Sequence, residues 1–363
     1  MCLSGGGYRA MLFHVGCLWR LNELGVLGAL KRISSVSGGS ITAGILGMNW
    51  PALGLSPATP GVSRERFVEH FVDPVRVVAG ETIDAGAVIE GILLPGTISD
   101  HVASKYDDLA FHGKTLQDLP NDADGPRFVI NATNVQSGVL MRFSKPYMRD
   151  YKVGKVLQPA LPLARAVAAS SAFPPVLSPC EIDLAKFGLH MEPADSNEPL
   201  HVPPYTTKLV LSDGGVYDNL GLETAWKHYD TILVSDGGGH YQPEPSPHSD
   251  WARHAIRVSG LVDSQVRALR TRQLMALFAL QERKGAYWSI RQPITTYGDP
   301  PALPCDPTGA EALAATPTRL KAMDGALQER LINWGYAISD AAMRKYGGAS
   351  LPAPAFPYPA NPV

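Results

Sequence analysis

A 363-residue chain with 45% hydrophobic side chains can bury a substantial core, as one large α/β domain or two smaller ones. Its net charge of −2 sets up no global field for nucleic acid, and no apolar run approaches transmembrane length, so any membrane contact is expected to be peripheral. The four cysteines (Cys2, Cys17, Cys180, Cys305) lack C-x-x-C or zinc-type spacing and read as reduced thiols of a cytosolic protein; no basic region followed by an apolar one marks a secretory signal.

Met1-Cys2-Leu3 reads as a strand stub, followed by the glycine-rich run Ser4-Gly5-Gly6-Gly7-Tyr8-Arg9-Ala10. A helical pattern then carries Met11, Leu12, Val15, Leu18, Leu21 and Leu24 and stops at Gly25. A glycine loop between a strand and a helix N-terminus presents backbone N–H groups to an anion. As a dinucleotide fingerprint, Gly5-x-Gly7-x-x-Ala10 needs an acidic residue at the end of the next strand, and Val36-Ser37-Gly38 supplies none. A phosphate-binding P-loop needs Gly-Lys-Ser/Thr, which is also missing. The remaining reading is an oxyanion hole with donors from Gly5, Gly6 and Gly7. Arg9, in the first helical turn, either holds this loop or a phosphate group or is a solvated helix residue.

The stretch Ile33-Ser34-Ser35-Val36-Ser37-Gly38-Gly39 reads as a short apolar strand and a tight turn, with a helix starting at Ile41. A serine at such a corner is a nucleophile position, and small residues must flank it or strand and helix collide. Ser35 stands where the G-x-S-x-G pattern has its first glycine.

Residues 51–62 form a loop, Ser63 caps a helix, and residues 76–120 read as helices and loops. His70, His101 and His112 have no metal-site spacing and read as surface or cap residues. Residues 127–133 and 139–144 read as strands about the Gln136-Ser137-Gly138 turn. Residues 163–169 form a short helix broken by Ser170-Ser171-Ala172-Phe173-Pro174-Pro175, whose serines read as part of a rigid wall.

Two strands then end alike, one at Asp213-Gly214-Gly215 and one at Asp236-Gly237-Gly238. On spacing, either aspartate can serve Ser37 as general base. Asp236 with His240 also permits a Ser37–Asp236–His240 triad in α/β-hydrolase order, although that fold places its oxyanion loop further upstream of the serine.

Residues 252–283 read as a long helix, broken near Gly260. Between Trp251 and Lys284 seven Lys/Arg face only Asp263 and Glu282, so this helix either packs on the domain or lies on an anionic membrane surface. Residues 286–290 read as a strand, 293–308 as a Pro-rich loop and 318–346 as helical. No repeat or second domain is visible, giving one unit over 1–348 and a Pro-rich, extended tail over 349–363.

In this order the blocks Ser4–Ala10, Ser35–Gly39, Ala169–Pro175 and Asp213–Gly215 resemble the patatin-like phospholipases. The resemblance implies a three-layer α/β/α fold with a mostly parallel central sheet, related to the catalytic domain of cytosolic phospholipase A2. It implies a Ser-Asp dyad without histidine, in which Ser37 matches the nucleophile and Asp213, rather than Asp236, the base. Gly5, Gly6, Gly7 and Arg9 match the oxyanion loop, and Gly38 joins these oxyanion or substrate-binding residues. Ser35 and Ala10 depart from the family's glycines. The expected activity is hydrolysis of a phospholipid or related lipid ester, with no metal or cofactor and no nucleic acid, in the cytoplasm or peripherally at a membrane. A general carboxylesterase or acyltransferase with the same dyad, and a non-catalytic lipid-binding module, are the alternatives.

Overall fold

The computed structural model describes residues 1–83, 97–194, 198–239, 241–298, 301–347 and 352–363. His240 and the proposed boundary at 348–349 fall outside them.

A parallel series of strands drawn from both ends of the chain forms one half of the sheet. β1 (Cys2–Leu3) lies between β2 (Arg32–Ser35) and β9 (Thr231–Asp236). β3 (Arg127–Asn134) extends the series beyond β2, and β10 (Lys284–Ser289) extends it beyond β9. β2 is buried along its whole length, as a parallel strand covered on both faces must be. From β3 onward the sheet turns antiparallel. β4 (Val139–Phe143), β5 (Tyr147–Asp150) and β6 (Gly154–Leu157) form a meander on one edge of β3. β8 (Lys208–Asp213) pairs antiparallel with the end of β3 and carries β7 (Cys180–Asp183).

β1, α1 (Gly7–Glu23), β2, α2 (Gly38–Met48) and β3 step across the sheet in one direction, so right-handed crossovers place both helices on one face, where they pack together. α1 is buried over nearly its whole length because α5 (Gly325–Tyr346) covers its outer side. Glycine makes this close crossing possible: a Cβ at Gly16 would lie 1.9 Å from the Ile332 carbonyl, and one at Gly335 equally near that of Phe13. The strand period of two splits the apolar residues of β9 between two cores. Leu233 joins the main core, whereas Ile232 and Val234 join Leu220, Leu222, Ala225 and Leu274 in a smaller one.

α4 (Trp251–Ala279) runs unbroken through Gly260, where a break was expected; a single glycine costs a helix only about 1 kcal/mol. Only Arg267 and Leu274 of this helix are buried, while Trp251, Val258, Val262 and Leu269 are exposed. α5 begins at Gly325 rather than near Thr318, because Asp324 caps it by accepting from the Leu327 amide. In the C-terminal segment, Phe356 and Tyr358 pack on the main core and Val363 is buried; Asn333 bonds the Tyr358 backbone through both its amide atoms. No described helix is long and apolar enough to cross a membrane.

Candidate active site

Ser37 stands between the end of β2 and the start of α2 with φ 50° and ψ −120°, a conformation L-residues rarely adopt. Three contacts impose it. The Ser37 amide donates (3.0 Å) to the hydroxyl of Ser170, the last residue of α3 (Leu163–Ser170), and that hydroxyl donates to the Asn131 carbonyl (2.6 Å). The Asn131 side chain in turn donates to the Ser35 carbonyl (2.9 Å), fixing the last residue of β2. The two glycines after Ser37 let α2 approach the glycine loop: a Cβ on Gly38 would lie 2.2 Å from the Gly7 carbonyl, and one on Gly39 2.5 Å from that of Leu3. Ser35 is accommodated in the core. Its hydroxyl donates to the Val129 carbonyl (3.3 Å) and accepts from Ser40 (3.0 Å).

Asp213 ends β8 (Lys208–Asp213), with its amide on the Ala172 carbonyl (2.9 Å) and its carbonyl accepting from Thr133 (2.8 Å). Its Oδ1 accepts from the Gly215 amide (2.7 Å), whereas Oδ2 is buried with no hydrogen-bond partner among the described residues. Burial pushes this carboxyl up to about 7. The Gly215 amide and the adjacent Ser37 hydroxyl oppose the shift, and the negative charge of Asp263 on α4 adds to it. The carboxyl therefore sits beside Ser37 with one oxygen held and the other open.

The glycine loop lies between β1 and α1, on the strand adjoining β2, as the spacing predicts. Gly5 is close-packed: its amide donates to the Asn219 carbonyl (3.1 Å), and a Cβ there would lie 2.3 Å from Asn219 Oδ1 and 3.1 Å from Ser37 Cβ. Its N–H is thus committed, and Gly5 serves the loop by shape rather than as a donor. Gly6 has φ 146° and Gly7 φ 60°, both conformations that favour glycine. The amides of Gly6, Gly7 and Gly38 have no partner among the described residues. Gly7 and Gly38 open α1 and α2, so two helix N-termini direct free N–H groups and positive dipole ends at the region around Ser37.

Arg9 is buried and donates to the carbonyls of Gly237 and Thr316 and to the Thr318 hydroxyl. Its guanidinium holds the loop, and neither the solvated reading nor a phosphate-binding role fits these partners. Asp236 ends β9, on the far side of β1 from β2. Burial alone would raise its pKa, but Arg267, Arg291 and the Gly238 amide hold it below the usual carboxylate range. Its Oδ2 accepts from Tyr287 (2.8 Å) and lies 3.3 Å from Arg291. An ion-paired carboxylate across β1 is a poor base for Ser37, and its triad partner His240 lies outside the described residues. The buried His14 bridges the Ser4 carbonyl (2.9 Å) and the Ser235 hydroxyl (2.8 Å), and burial pushes it down to about 4, so it is a neutral support beneath the loop.

Ser170, Asn131, Asn219 and Asp263 were not singled out as site residues from sequence. Ser170 carried a signal, lying in the small-residue segment before Phe173-Pro174; the other three depend on strand register and helix placement that single-sequence patterns do not encode.

The sequence profile of the patatin-like phospholipase family matches residues 1–226. Among solved structures, human GIVD cytosolic phospholipase A2 is similar with a TM-score of 0.52 and 13% identity, over 95% of this chain and 62% of that one. VipD from Legionella pneumophila is similar with a TM-score of 0.39 and 14% identity, over 94% of this chain and 66% of that one. The chain thus spans less than two thirds of either structure. The first of these likenesses establishes a shared fold. A comparison with curated protein sequences returns no match.

Proposed function

The chain belongs to the patatin-like phospholipase family, and from that premise we propose that it is a lipid acyl hydrolase cleaving phospholipid or related lipid esters through Ser37 and Asp213. The observation that carries this reading is the Asp213 carboxyl, buried beside Ser37 with Oδ2 unpartnered among the described residues and its pKa pushed up to about 7. A group titrating near neutrality can both take and return a proton during turnover.

The ionised Asp213 accepts the Ser37 proton as Oγ attacks the acyl carbonyl. The Gly6, Gly7 and Gly38 amides receive the developing oxyanion. As the tetrahedral intermediate collapses, Asp213 gives its proton to the leaving alcohol, and a lysolipid departs. Water then enters, Asp213 removes its proton, and the hydroxide attacks the acyl-enzyme. The second collapse breaks the acyl–Oγ bond, and the proton on Asp213 returns to Ser37 as the fatty acid leaves.

The apolar stripe on α4 suits peripheral contact with a lipid surface. Trp251, Val258, Val262 and Leu269 recur at helical spacing on the side opposite Arg267 and Leu274. The four unpaired cysteines suit a reducing cytoplasmic setting.

Product analysis on defined phospholipids tests the activity. The expected products are fatty acid and lysolipid, with Ser37→Ala and Asp213→Asn at background. Full activity in either variant overturns the dyad. Cleavage of short p-nitrophenyl esters without phospholipid hydrolysis assigns the same dyad to a general esterase.

A further inference from the structure

Residues 316–319 lie outside the region matched by the family profile, yet they bear directly on the glycine loop. The first amides of a helix have no helical acceptor, so where each points must be settled by other contacts. The Tyr8 amide donates to the Arg319 carbonyl (3.0 Å) and the Gly5 amide to that of Asn219. The flanking donors are thus withdrawn, and those of Gly6 and Gly7 remain. Gly7 lies so close to this segment that an added Cβ would sit 2.6 Å from the Arg319 carbonyl. At the next residue but one, the Arg9 guanidinium donates through Nε to the Gly237 carbonyl (3.1 Å), through one terminal nitrogen to the Thr316 carbonyl and through the other to the Thr318 hydroxyl (2.8 Å).

A buried cation in the first turn of a helix is opposed by the helix dipole, and burial pushes this guanidinium down to about 10. Its position therefore depends on the acceptors around it. Two of those three come from residues 316–319, an irregular segment that follows the helix Pro307–Ala314 and leads into the buried Leu320. The Leu320 carbonyl accepts from the Ile83 amide (2.8 Å), so the far end of the segment is tied to the body. Thr318 and Arg319 themselves are exposed.

We infer that Thr316–Arg319 is a strap that sets the oxyanion loop for catalysis, with Thr318 as a positioning residue that acts through Arg9. The inference rests on the hydrolase reading, because it assigns the strap's purpose to the Gly6 and Gly7 donors. It makes the C-terminal third part of the catalytic unit. Because the strap acts on the loop rather than on bound lipid, its loss falls on kcat rather than on KM.

Thr318→Val removes the acceptor at nearly constant volume on an exposed segment. On a monomeric short-chain ester, kcat is expected to fall roughly tenfold or more, with KM and Tm little changed. Thr318→Ser keeps the hydroxyl and should restore kcat. Hydrogen exchange at the Tyr8 amide should quicken in the valine variant and not in the serine one. The inference is overturned by a kcat within about twofold of wild type, by an equal loss in the serine variant, or by a loss that tracks Tm. If the wild-type chain hydrolyses no ester, the hydrolase reading fails by itself; Tyr8 exchange then decides the strap, with unchanged protection counting against it.

Discussion

Ser35 and Asp213 lie on the same edge of β3, opposite Ile130 and Ala132, one on a strand parallel to it and the other on an antiparallel strand. Two strands approach along that edge from opposite directions and stop with Asn131 between them. Ser37, the proposed nucleophile, follows the end of one strand, and Asp213, the proposed base, is the end of the other. Asn131 ties the seam together, donating to the Ser34 hydroxyl (3.0 Å) and the Ser35 carbonyl (2.9 Å) while its own carbonyl accepts from Ser170. Asn131→Ala is expected to cost about 1–3 kcal/mol in urea unfolding, since the Ser35 carbonyl loses a buried donor. Labelling of Ser37 by a fluorophosphonate should slow by more than the change in stability explains. Unchanged labelling would show that the seam holds without this side chain.

The pH dependence follows from Asp213. As the proposed base, Asp213 must be ionised, so kcat/KM should rise with pH through about 7 and level off above it. Asp263 adds a negative charge that raises the Asp213 pKa, so Asp263→Asn should lower that pKa and move the acid limb to lower pH. A limb that stays fixed, or moves to higher pH, separates Asp263 from the dyad.

The same shift has a consequence for stability. The folded Asp213 titrates near 7 and its ordinary value is 3.8, so between these limits the native state binds the extra proton. Stability should therefore fall as pH rises from about 4 to about 7. Asp213→Asn keeps an acceptor for Gly215 and removes the charge. Its Tm should exceed wild type at pH 8, by the equivalent of up to about 4 kcal/mol, and match it near pH 4, with activity lost throughout. A variant no more stable at pH 8 than wild type would mean that the buried charge is solvated in solution.

Ser170 tests the elbow itself. Ser170→Ala leaves the Ser37 amide buried without its acceptor, a change worth about 1–3 kcal/mol. With φ 50° at Ser37 no longer held, kcat should drop while substrate binding changes little. Steady-state kinetics and thermal unfolding on the one variant separate the two effects.

Much of this was legible in the sequence because short-range sterics leave residue-level marks. Gly38 and Gly39 announce the turn at Ser37, and Gly5, Gly6 and Gly7 the loop beside it, because a Cβ at any of them would meet neighbouring atoms. Ser37 alone, however, could not choose between Asp213 and Asp236, which end near-identical strands. That choice depends on β8 pairing with β3 while β9 pairs with β1, a long-range register that local pattern does not carry. The strap at Thr316–Arg319 was hidden for a related reason: its residues are unremarkable in composition, and Thr318 and Arg319 fall at the start of the helix that the sequence predicts over 318–346. Their importance comes from the carbonyls and hydroxyl they bring to a residue some 300 positions earlier in the chain.

The exposed stripe of α4 gives the last prediction. Trp251, Val262 and Leu269 are 85%, 58% and 58% exposed, on the side of the helix away from Arg267 and Leu274. Burying such side chains at a lipid interface gains about 1.5–3 kcal/mol each when complete, while Arg272 and His254 flank the stripe, where they can reach headgroups. Val262→Asp with Leu269→Asp should leave the fold intact, because neither side chain packs in a core, and should weaken sedimentation with phosphatidylglycerol vesicles at least about tenfold. Hydrolysis of vesicle phospholipid should fall in parallel, and that of a monomeric short-chain ester should not. Equal loss on both substrates would place the defect in the catalytic site, and undiminished vesicle binding would assign the stripe to another partner, such as a second copy of the chain.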